Sequence, residues 1–428
     1  MQYIVDLKTK YNVDVFVAGG GAAGVAAAVA AARQGKKVFL AESMGCFGGV
    51  GTSGLVPAFA PFDDGVNILA SGIGYEIRKS VSRSIPLDSY WTLLNVEELK
   101  RAYDNIMVES GAQFSFFTTV CDVVMRDDMI DYVVLNAKSG MFAVKAKIYI
   151  DCTGDGDLSA LAGAQFEKGD ADGAVMPATL CSLWANIDSD DATDIGQQNA
   201  YIEHAYNAGI LSYDDRHLPG MFIHQNGVGG GNLGHLFNIN PLDECSITEG
   251  MLWGRKSMLE YEEYFKTYLH GFENMYLCST GTIPGIRESR RIKCDYMLNV
   301  DDFINRADFD DEIGRYCYPV DIHVMDTSQK ELDRYIAEYD NLRYMEGESY
   351  GIPYRSLVPA THSNLLTAGR CIGTDRQMQA SIRVMPGCFI TGQAAGIAAV
   401  LAAEHEDTRK VNVSDLKSKL KSIGAYIR

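Results

Sequence analysis

The residues best suited to chemistry near the start of the chain are glycines followed by one acid. Gly19–Gly24 reads GGGAAG and fits the pattern G-x-G-x-x-G. In that pattern Gly19 permits a tight turn, Gly21 lets a pyrophosphate approach the backbone, and Gly24 lets a helix pack closely against a strand. Glu42, further along the chain, can accept hydrogen bonds from a ribose. These residue types and their order predict a dinucleotide-binding site.

Two strands and a helix must position these glycines, and the surrounding sequence supplies them. The apolar run Val13–Ala18 predicts a buried parallel strand, and Val38–Ala41 predicts a second one. Between them, the Ala-rich stretch Ala22–Gln34 predicts a helix whose first N–H groups face the phosphates. The glycine pattern also fits Gly49–Gly54 and Gly229–Gly234. Neither match has a strand before it and an Ala-rich helix after it, so both are predicted to be loops.

Other glycine-bearing turns follow apolar runs later in the chain. The strand-like Ile148–Ile150 leads into the turn Asp151–Asp157, and Ser363–Arg370 reads as a strand with a glycine turn. Ile390–Leu401 predicts a helix of small residues that can pack as closely as the first helix. The glycine-rich loop after Glu42 is expected to contact a cofactor, the alternative being a free surface loop. The first and last parts of the chain therefore predict one domain.

The fold class predicted from these elements is α/β. A Rossmann-like domain of parallel sheet plus β-meander spans residues 1–166 and 346–428, and an α+β substrate domain, residues 167–345, is inserted into it. Further predicted elements are a helix over Asn95–Ser110, meander strands over Gln113–Val124, Ile130–Asn136 and Met141–Ile150, a helix over Glu249–Leu269 capped near Ser246, and a strand over Tyr316–Met325.

Arginines and histidines are the candidates for substrate chemistry. Arg287 and Arg291 flank Arg290 in a cluster whose guanidinium groups suit a carboxylate substrate; the alternative is a structural clamp paired with acids such as Asp295, Asp301 or Asp302. Histidines 224 and 235 flank a glycine-rich segment, and either is an acid/base candidate or a structural residue. Arg383 precedes the last helix and is a candidate to face substrate or cofactor.

Composition excludes several classes of partner. The 428 residues carry a net charge of −18, which argues against nucleic acid. No run of 18 apolar residues and no N-terminal apolar segment is present, so neither a membrane span nor a signal peptide is expected. Ten scattered cysteines without a C-x-x-C pair predict no metal site and suit a reducing, cytoplasmic location.

Taken together, the motifs resemble the FAD-dependent oxidoreductases of the glutathione-reductase-like superfold. The branch indicated is a bacterial group related to the flavoprotein subunit of heterodisulfide reductase, and more distantly to fumarate reductase flavoproteins. The resemblance covers nearly the whole chain. The segments that carry it are VAGGGAAGVAAAVAAARQGKKVFLAE, DCTGDGDLSALAGA, GIRESRRIKCDYMLNVDDF and IPYRSLVPATHSNLLTAGRCIGTDRQMQASIRVMPGCFITGQAAGIAA.

The resemblance implies contacts with FAD along the chain. The implied residues are Gly19, Gly21, Ala22, Ala23, Gly24, Glu42, Ser43, Gly48, Gly49, Val120, Thr153, Gly154, Asp155, Gly369, Arg370, Gly392 and Ala395. The first glycines would meet the pyrophosphate, Glu42 the adenosine ribose, and the Val120 backbone the adenine. Gly369 and Arg370 would lie near the ribityl chain or pyrophosphate. A turn at Gly392–Ala395 would place a helix end near the flavin pyrimidine.

Two departures from these relatives qualify the expectation. The iron–sulfur cysteine motifs of heterodisulfide reductase flavoproteins are absent, which makes cluster-fed electron transfer doubtful. No histidine lies between residues 43 and 60, where fumarate reductase relatives often attach FAD, so FAD is expected to be non-covalent.

The function expected from the sequence is FAD-dependent oxidoreduction of a small organic substrate, with Arg287 and Arg291 suggesting a carboxylate. One rival is an NAD(P) dehydrogenase, which predicts no C-terminal return to the first domain. The other is a non-catalytic flavin-binding module or an electron-transfer subunit. A homo-oligomer or a redox partner protein is left open.

Overall fold

The computed structural model describes residues 6–81, 91–215, 220–224, 226–338 and 342–428. Its strands are β1 Thr9–Ala18, β2 Val38–Ala41, β3 Ala58–Phe59, β4 Thr92–Leu93, β5 Gln113–Ser115, β6 Thr119–Arg126, β7 Met129–Ala137, β8 Gly140–Asp151, β9 Phe166–Lys168, β10 Ser182–Ala185, β11 Gly220–His224, β12 Val228–Asn232, β13 Tyr276–Thr280, β14 Arg290–Ile292, β15 Glu312–Tyr316, β16 Tyr350–Pro353 and β17 Leu365–Thr367.

Two of the described helices are almost wholly buried, and the longest one, of 25 residues, is buried on one side only. The helices are α1 Ala22–Arg33, α2 Ile73–Val81, α3 Val96–Ser110, α4 Asp157–Leu161, α5 Ile202–Asn207, α6 Glu244–Tyr268, α7 Val300–Ile304, α8 Gln329–Glu338, α9 Arg376–Ile382, α10 Met385–Ala402 and α11 Val413–Ser422. The α3 helix begins one residue later than predicted because Asn95 is its N-cap and accepts hydrogen bonds from Glu97 N and Glu98 N.

The main sheet carries the predicted Rossmann-like core and its meander. Its order is β5-β2-β1-β8-β7-β6, with β17 also paired to β8. The pairs β5–β2, β2–β1, β1–β8 and β8–β17 are parallel, and β6, β7 and β8 are antiparallel neighbours. The predicted α/β class is confirmed. The C-terminal strand β17 completes the sheet that the N-terminal strands begin.

One predicted meander strand proved to be two strands. Gln113–Val124 was expected to be continuous, but Gln113–Ser115 pairs in parallel with β2, whereas Thr119–Arg126 pairs antiparallel with β7. The chain changes direction between them, where Phe117 takes a φ of 52°. Phe, Thr and Val residues, which are typical of strands, continue through this bend, so the composition gave no sign of it.

The two apolar helices α1 and α10 pack so closely that their backbones are in contact. A Cβ atom on Gly392 would lie 2.2 Å from the Ala23 carbonyl oxygen, and one on Gly396 would lie 2.3 Å from that of Ala27. By length and composition α10 is apolar enough to cross a membrane, but 94% of it is buried inside the protein. It is therefore a core helix.

The predicted turn at Gly392–Ala395 is wrong. Gly392 and Ala395 lie within α10, which begins at Met385 with Pro386 in its first turn, a favoured place for proline. Their small size serves the packing on α1. Both residues are buried in that contact, so neither marks a helix end beside a cofactor.

A second sheet, in the order β11-β12-β10-β13, is antiparallel and contacts α6. Its β12 strand, Val228–Asn232, corrects the prediction of a loop over Gly229–Gly234. A Cβ on Gly230 would lie 2.5 Å from Pro57, so only a strand without side chains there fits against the loop that carries Pro57. The α6 helix begins earlier than predicted because Asp243, rather than Ser246, is its N-cap.

The strand predicted over Tyr316–Met325 ends where it was expected to begin. The β15 strand runs to Tyr316 and pairs with β16, and the residues from 317 to 325 follow without regular structure. Ile313 and Tyr316 of β15 belong to the same buried core as Ile390 of α10. The domain boundaries near residues 166 and 346 stay predictions.

Candidate functional site

The first glycine turn encloses a space at the start of α1. Gly19 has a φ of 88°, and a Cβ there would lie 2.6 Å from the Cys152 carbonyl oxygen. A Cβ on Gly24 would lie 1.9 Å from the Gly19 oxygen, so helix and turn touch there. At Gly21, by contrast, no described heavy atom outside its own turn and helix would lie within 4 Å of an added Cβ. Two of the glycines allow close packing, and the third faces open space.

The glycine loop after Glu42 lies across this turn. Gly48 N donates to Gly20 O at 2.8 Å, and a Cβ on Gly49 would lie 3.4 Å from the Cα of Gly21. Gly48 and Gly49 have φ values of 105° and 53°, which side-chain-bearing residues rarely adopt. This loop therefore forms a second backbone wall beside the open space at Gly21.

Glu42 joins the two walls. Its carboxylate accepts hydrogen bonds from Gly20 N and Met44 N, each at 2.6 Å, and from the Ser43 hydroxyl at 3.2 Å. Glu42 is buried, and it fixes the glycine turn relative to the loop that follows β2. Oε1 accepts two of these bonds and Oε2 accepts one, so a lone pair of Oε2 is left for a ribose hydroxyl, and the predicted contact with a ribose stays a prediction.

The meander approaches Glu42 just before β6. Thr118 N donates to the Glu42 carbonyl oxygen at 2.9 Å. Val120, two residues further on, is half-buried and faces Leu135 of β7 in the strand register. The implied contact between its backbone and an adenine stays a prediction.

The two later turns meet each other beside the first one. Arg370 pairs with Asp155 at 2.8 Å and donates to the Ser289 hydroxyl at 2.7 Å. Its guanidinium also covers Gly154, where an added Cβ would lie 2.9 Å from Nη2. Gly369 lies against α1, since its Cβ would lie 3.0 Å from that of Ala23. Residues that are distant in sequence thus converge on the start of α1.

Asp151 holds the second turn in shape, and sequence reasoning missed it. One of its carboxylate oxygens accepts from Thr153 N and Oγ1, and the other accepts from Ser159 N and Oγ at 2.7 Å. It is fully buried at the end of β8. Its position directly before the turn was the available signal.

These walls fit a dinucleotide pyrophosphate. The space at Gly21 is lined by backbone, lies at the N-terminal end of α1, and would be filled by any side chain. Helix N-termini of this kind offer N–H donors and a positive dipole end to an anion. Gly19, Gly21 and Gly24, with Gly48 and Gly49, would hold the phosphates of FAD.

The predicted substrate arginines Arg287 and Arg291 both lie buried against groups of the chain itself. Arg287 donates to the Pro177 carbonyl oxygen at 2.8 Å. Arg291 donates to Glu288 at 2.7 Å and to the Gly169 carbonyl oxygen at 2.9 Å. The acids proposed as alternative partners do not serve: Asp295 pairs with Arg409, and Asp302 is in the capping box of α7.

Glu288 is the centre of a buried ion cluster. Its carboxylate pairs with Arg291 at 2.7 Å and Arg376 at 3.0 Å, and accepts from Met176 N at 2.9 Å. Glu288 is fully buried. The three partners come from separate parts of the chain, so Glu288 connects them, and the contacts of Arg291 favour the clamp interpretation.

A second buried polar cluster brings together candidates that the sequence left apart. His235 Nδ1 lies 3.0 Å from Asp215, and its Nε2 lies 2.8 Å from His323 Nδ1. His323 Nε2 lies 3.5 Å from Asp321, whose carboxylate pairs with Arg383 at 3.0 Å. We call Asp215, His235, His323, Asp321 and Arg383 the histidine cluster.

Arg287 interacts electrostatically with charged residues of the histidine cluster. Burial, with the neighbouring Arg383, lowers the pKa of Arg287 to about 10, while Asp321 and Asp215 act in the opposite direction. Burial also lowers the pKa of His235, which outweighs the nearby carboxylate of Asp215. Burial thus disfavours the charged form of His235.

A cavity of about 260 Å³ opens beside the cluster. Its described lining is Asp214, Asp215, Ile322, His323, Val324, Asp326, Thr327, Ser328, Gln329, Leu332 and Tyr335. The cavity is large enough for a small organic molecule, and polar and apolar groups share its wall. His323 and Asp215 belong both to this wall and to the cluster.

The histidine cluster connects with the glycine loop through the start of α10. Arg383 is the residue at the C-terminal end of α9, and α10 begins at Met385. A Cβ on Gly51 would lie 2.7 Å from the Met385 sulfur. Arg287 lies close enough to Arg383 and to His235 to influence them electrostatically, and Arg383 lies two residues before the helix that contacts the loop.

His224 contacts other residues than those of the histidine cluster. It is the last residue of β11. Burial lowers the pKa of His224, whereas a hydrogen bond with the Leu94 backbone and the negative charge of Glu98 act in the opposite direction. These contacts favour the structural alternative. Asp215, Asp321 and His323 were missed because they lie far from His235 in the sequence and belong to no motif.

Comparison with known proteins gives a family-level match. The model of a family described as FAD dependent oxidoreductase matches residues 14–420. No match was found among curated proteins.

Solved structures give more distant likenesses. A geranylgeranyl bacteriochlorophyll reductase-like protein from Thermoplasma acidophilum is similar at 13% identity and a TM-score of 0.49, with 96% of this chain and 83% of that chain covered. A p-nitrophenol 4-monooxygenase from Pseudomonas putida is similar at 11% identity and 0.42, with 96% and 84% covered. The OxyS anhydrotetracycline hydroxylase from Streptomyces rimosus is similar at 12% identity and 0.42, with 96% and 65% covered. These likenesses bear on neither substrate nor mechanism.

Proposed function

The chain belongs to the FAD-dependent oxidoreductase family, and we propose that it oxidises or reduces a small organic substrate held beside the histidine cluster. It is an oxidoreductase enzyme with FAD as its cofactor. The cofactor supplies the redox chemistry when bound, and the chain supplies binding, orientation and electrostatics.

The observation that carries the proposal is the open space at Gly21. Backbone from the first turn and from Gly48–Gly49 surrounds it at the N-terminal end of α1. The open position lies between two glycine-bearing backbone segments, whereas Gly19 and Gly24 are in tight contact. We call this arrangement of Gly19–Gly21 with Gly48 and Gly49 the cradle, and it supports phosphate binding.

The cavity beside His323 is the proposed substrate site. Its wall includes His323, whose neighbour Asp321 pairs with Arg383 just before α10. A carboxylate-bearing substrate stays a prediction, since Arg287 and Arg291 donate to carbonyl groups and to Glu288. The proposed roles of the chain's own groups are to orient the substrate, keep out water and exchange its proton.

The alternative is a non-catalytic flavin-binding module or an electron-transfer subunit of a complex like heterodisulfide reductase. That relationship, the cytoplasmic location and any oligomer or redox partner also stay predictions. Turnover with artificial electron acceptors across a substrate panel separates the alternatives. An enzyme reduces the acceptor only when a substrate is present, whereas a module without a substrate site shows no such dependence.

We expect the purified protein to be yellow and to release all of its FAD on acid or heat denaturation. The cradle binds by backbone contacts, and no histidine lies in residues 43 to 60 to form a covalent bond. Flavin absorbance of the supernatant and pellet after precipitation measures the release. Colour that stays with the precipitated chain would show covalent attachment and contradict this prediction.

A further inference from the structure

We propose that adenine, the base of FAD, stacks on the phenyl ring of Phe117, and that this contact favours FAD over flavins that lack the base. The contact needs only the cradle and FAD as the cofactor, and it does not depend on the proposed substrate site. It gives the adenosine half of the cofactor a side chain to bind, where the sequence implied only Glu42 and the backbone of Val120.

Phe117 occupies the bend between β5 and β6, and its side chain lies mostly in solvent. The residue is 62% exposed, whereas Thr118 beside it is buried. Phe116, on the other side, packs against Phe47 with 4.6 Å between the ring centroids. Core packing thus uses both neighbours and leaves the ring of Phe117 outside. A single exposed apolar ring is ordinary on a protein surface, so exposure by itself does not indicate a ligand.

The backbone conformation of Phe117 is the stronger sign. Its φ is 52°, in the left-handed region that glycine, asparagine and aspartate adopt most readily and that bulky residues rarely adopt. Among the eight non-glycine residues with positive φ in the described parts of the chain, only Leu55 and Phe117 are apolar. Unfavourable conformations of this kind concentrate at sites that hold ligands.

The bend is tied to the loop that follows β2. Phe117 N donates to the Met44 carbonyl oxygen at 3.2 Å, and Thr118 N donates to the Glu42 carbonyl oxygen at 2.9 Å. The tip of the ring contacts Gly45, where an added Cβ would lie 2.7 Å from Phe117 Cζ. These contacts place the ring over the loop that starts directly after Glu42.

The adenosine half of FAD is expected on this side of the cradle. The cofactor continues from its pyrophosphate through a ribose to the adenine. The pyrophosphate is assigned to the space at Gly21, and Oε2 of Glu42 keeps a lone pair for a ribose hydroxyl. Ser43 and Gly45, which follow Glu42, are exposed as Phe117 is. The base beyond the ribose therefore meets an open stretch of loop with one aromatic ring on it.

An aromatic ring suits adenine, which is flat, polarisable and uncharged. Stacking removes apolar surface of both rings from water. The loss of conformational freedom on binding is small, because the backbone already holds the ring of Phe117 in place. A phenyl ring reads the face of a base and not its edge, so it distinguishes a cofactor with a base from one without.

The first test measures how fast the diluted holoprotein releases FAD, from the flavin fluorescence of the filtrate. Phe117→Ala should release FAD about 5- to 150-fold faster, the range that corresponds to loss of one base–aromatic stack. Phe117→Trp should keep release slow. Tyr276→Ala, which removes a 54% exposed aromatic side chain from β13 in the second sheet, is the matched control. An unchanged rate in Phe117→Ala overturns the proposal.

A truncated cofactor locates the contact. Riboflavin 5′-diphosphate keeps the flavin and both phosphates but lacks adenosine. We expect wild type to release it faster than FAD, and Phe117→Ala to leave its release rate unchanged. If Phe117→Ala accelerates release of FAD and of this analogue equally, the ring acts on the cradle or on the fold, and the stacking role is wrong.

Phe117→Gly separates binding from folding. Glycine suits the left-handed φ, so the FAD-free variant should unfold at a urea concentration no lower than wild type, while its holoprotein releases FAD as fast as Phe117→Ala. A ring that serves only the fold gives the opposite result, a lower unfolding midpoint with FAD release unchanged. Gly45→Ala should also speed release, because its Cβ displaces the ring of Phe117.

Discussion

Replacing Gly21 by valine is expected to give a folded protein that no longer retains FAD. The backbone at Gly21 has φ −68° and ψ −171°, which valine can adopt, and an added Cβ would meet no described atom outside its own turn and helix within 4 Å. The valine side chain would instead occupy the space proposed for the pyrophosphate. We expect FAD affinity to fall roughly a hundredfold or more, about 2.7 kcal/mol.

Flavin absorbance per protein and far-UV circular dichroism measure the two parts of this prediction. Gly196→Val is the matched control, since Gly196 also faces open space and has no left-handed φ, but it lies far along the chain from the cradle. The control should keep both signals. Full FAD occupancy in Gly21→Val would place the cofactor elsewhere, and loss of the dichroism signal would make the turn a folding element.

Glu288→Gln is expected to have the largest effect on stability. The substitution removes the negative charge that Arg291 and Arg376 share, and it leaves two guanidinium groups in a buried place with weaker partners. Breaking a buried ion pair by removing one partner costs about 3–5 kcal/mol. The free energy of unfolding from urea titration, followed by dichroism, measures this loss.

Glu76→Gln is the control for that experiment. Glu76 pairs with Arg33 through two hydrogen bonds of 2.7 and 2.8 Å, but the two side chains lie at the surface and are 45% and 35% exposed. Pairs of this kind contribute about 1 kcal/mol or less. Equal losses in the two variants would contradict the buried clamp. A Glu288→Gln protein that is stable but binds ligands poorly would favour the substrate interpretation of Arg291.

Local sequence predicted the parts of the fold that local physics decides. Val38–Ala41 is a short apolar run between polar residues, and its predicted bounds match β2. The early start of α10 was missed because Gly387 and Pro386 look like loop residues, although proline is favoured in a first helical turn. The strand β12 was missed because the contact with Pro57 requires glycine in it, and no local sequence pattern shows that contact.

The candidate site likewise has one part that the sequence predicts and one part that only the tertiary structure shows. Gly19, Gly21 and Gly24 stand in one motif, so their geometry could be anticipated from spacing. His235 and His323 are hydrogen-bonded at 2.8 Å although 88 positions separate them. Only the tertiary packing brings them together, and the chemistry of the pair depends on the hydrogen bond between them.

The dependence of α1 on α10 has a consequence for biosynthesis. The sheet of residues 9–151 emerges from the ribosome long before β17 and α10, which complete its edge and cover α1. Until residues 385–402 arrive, the alanine face of α1 is an apolar surface open to chaperones and to aggregation. The N-terminal unit therefore cannot be completed until α10 has been synthesised, and we expect stable cofactor binding only after that point.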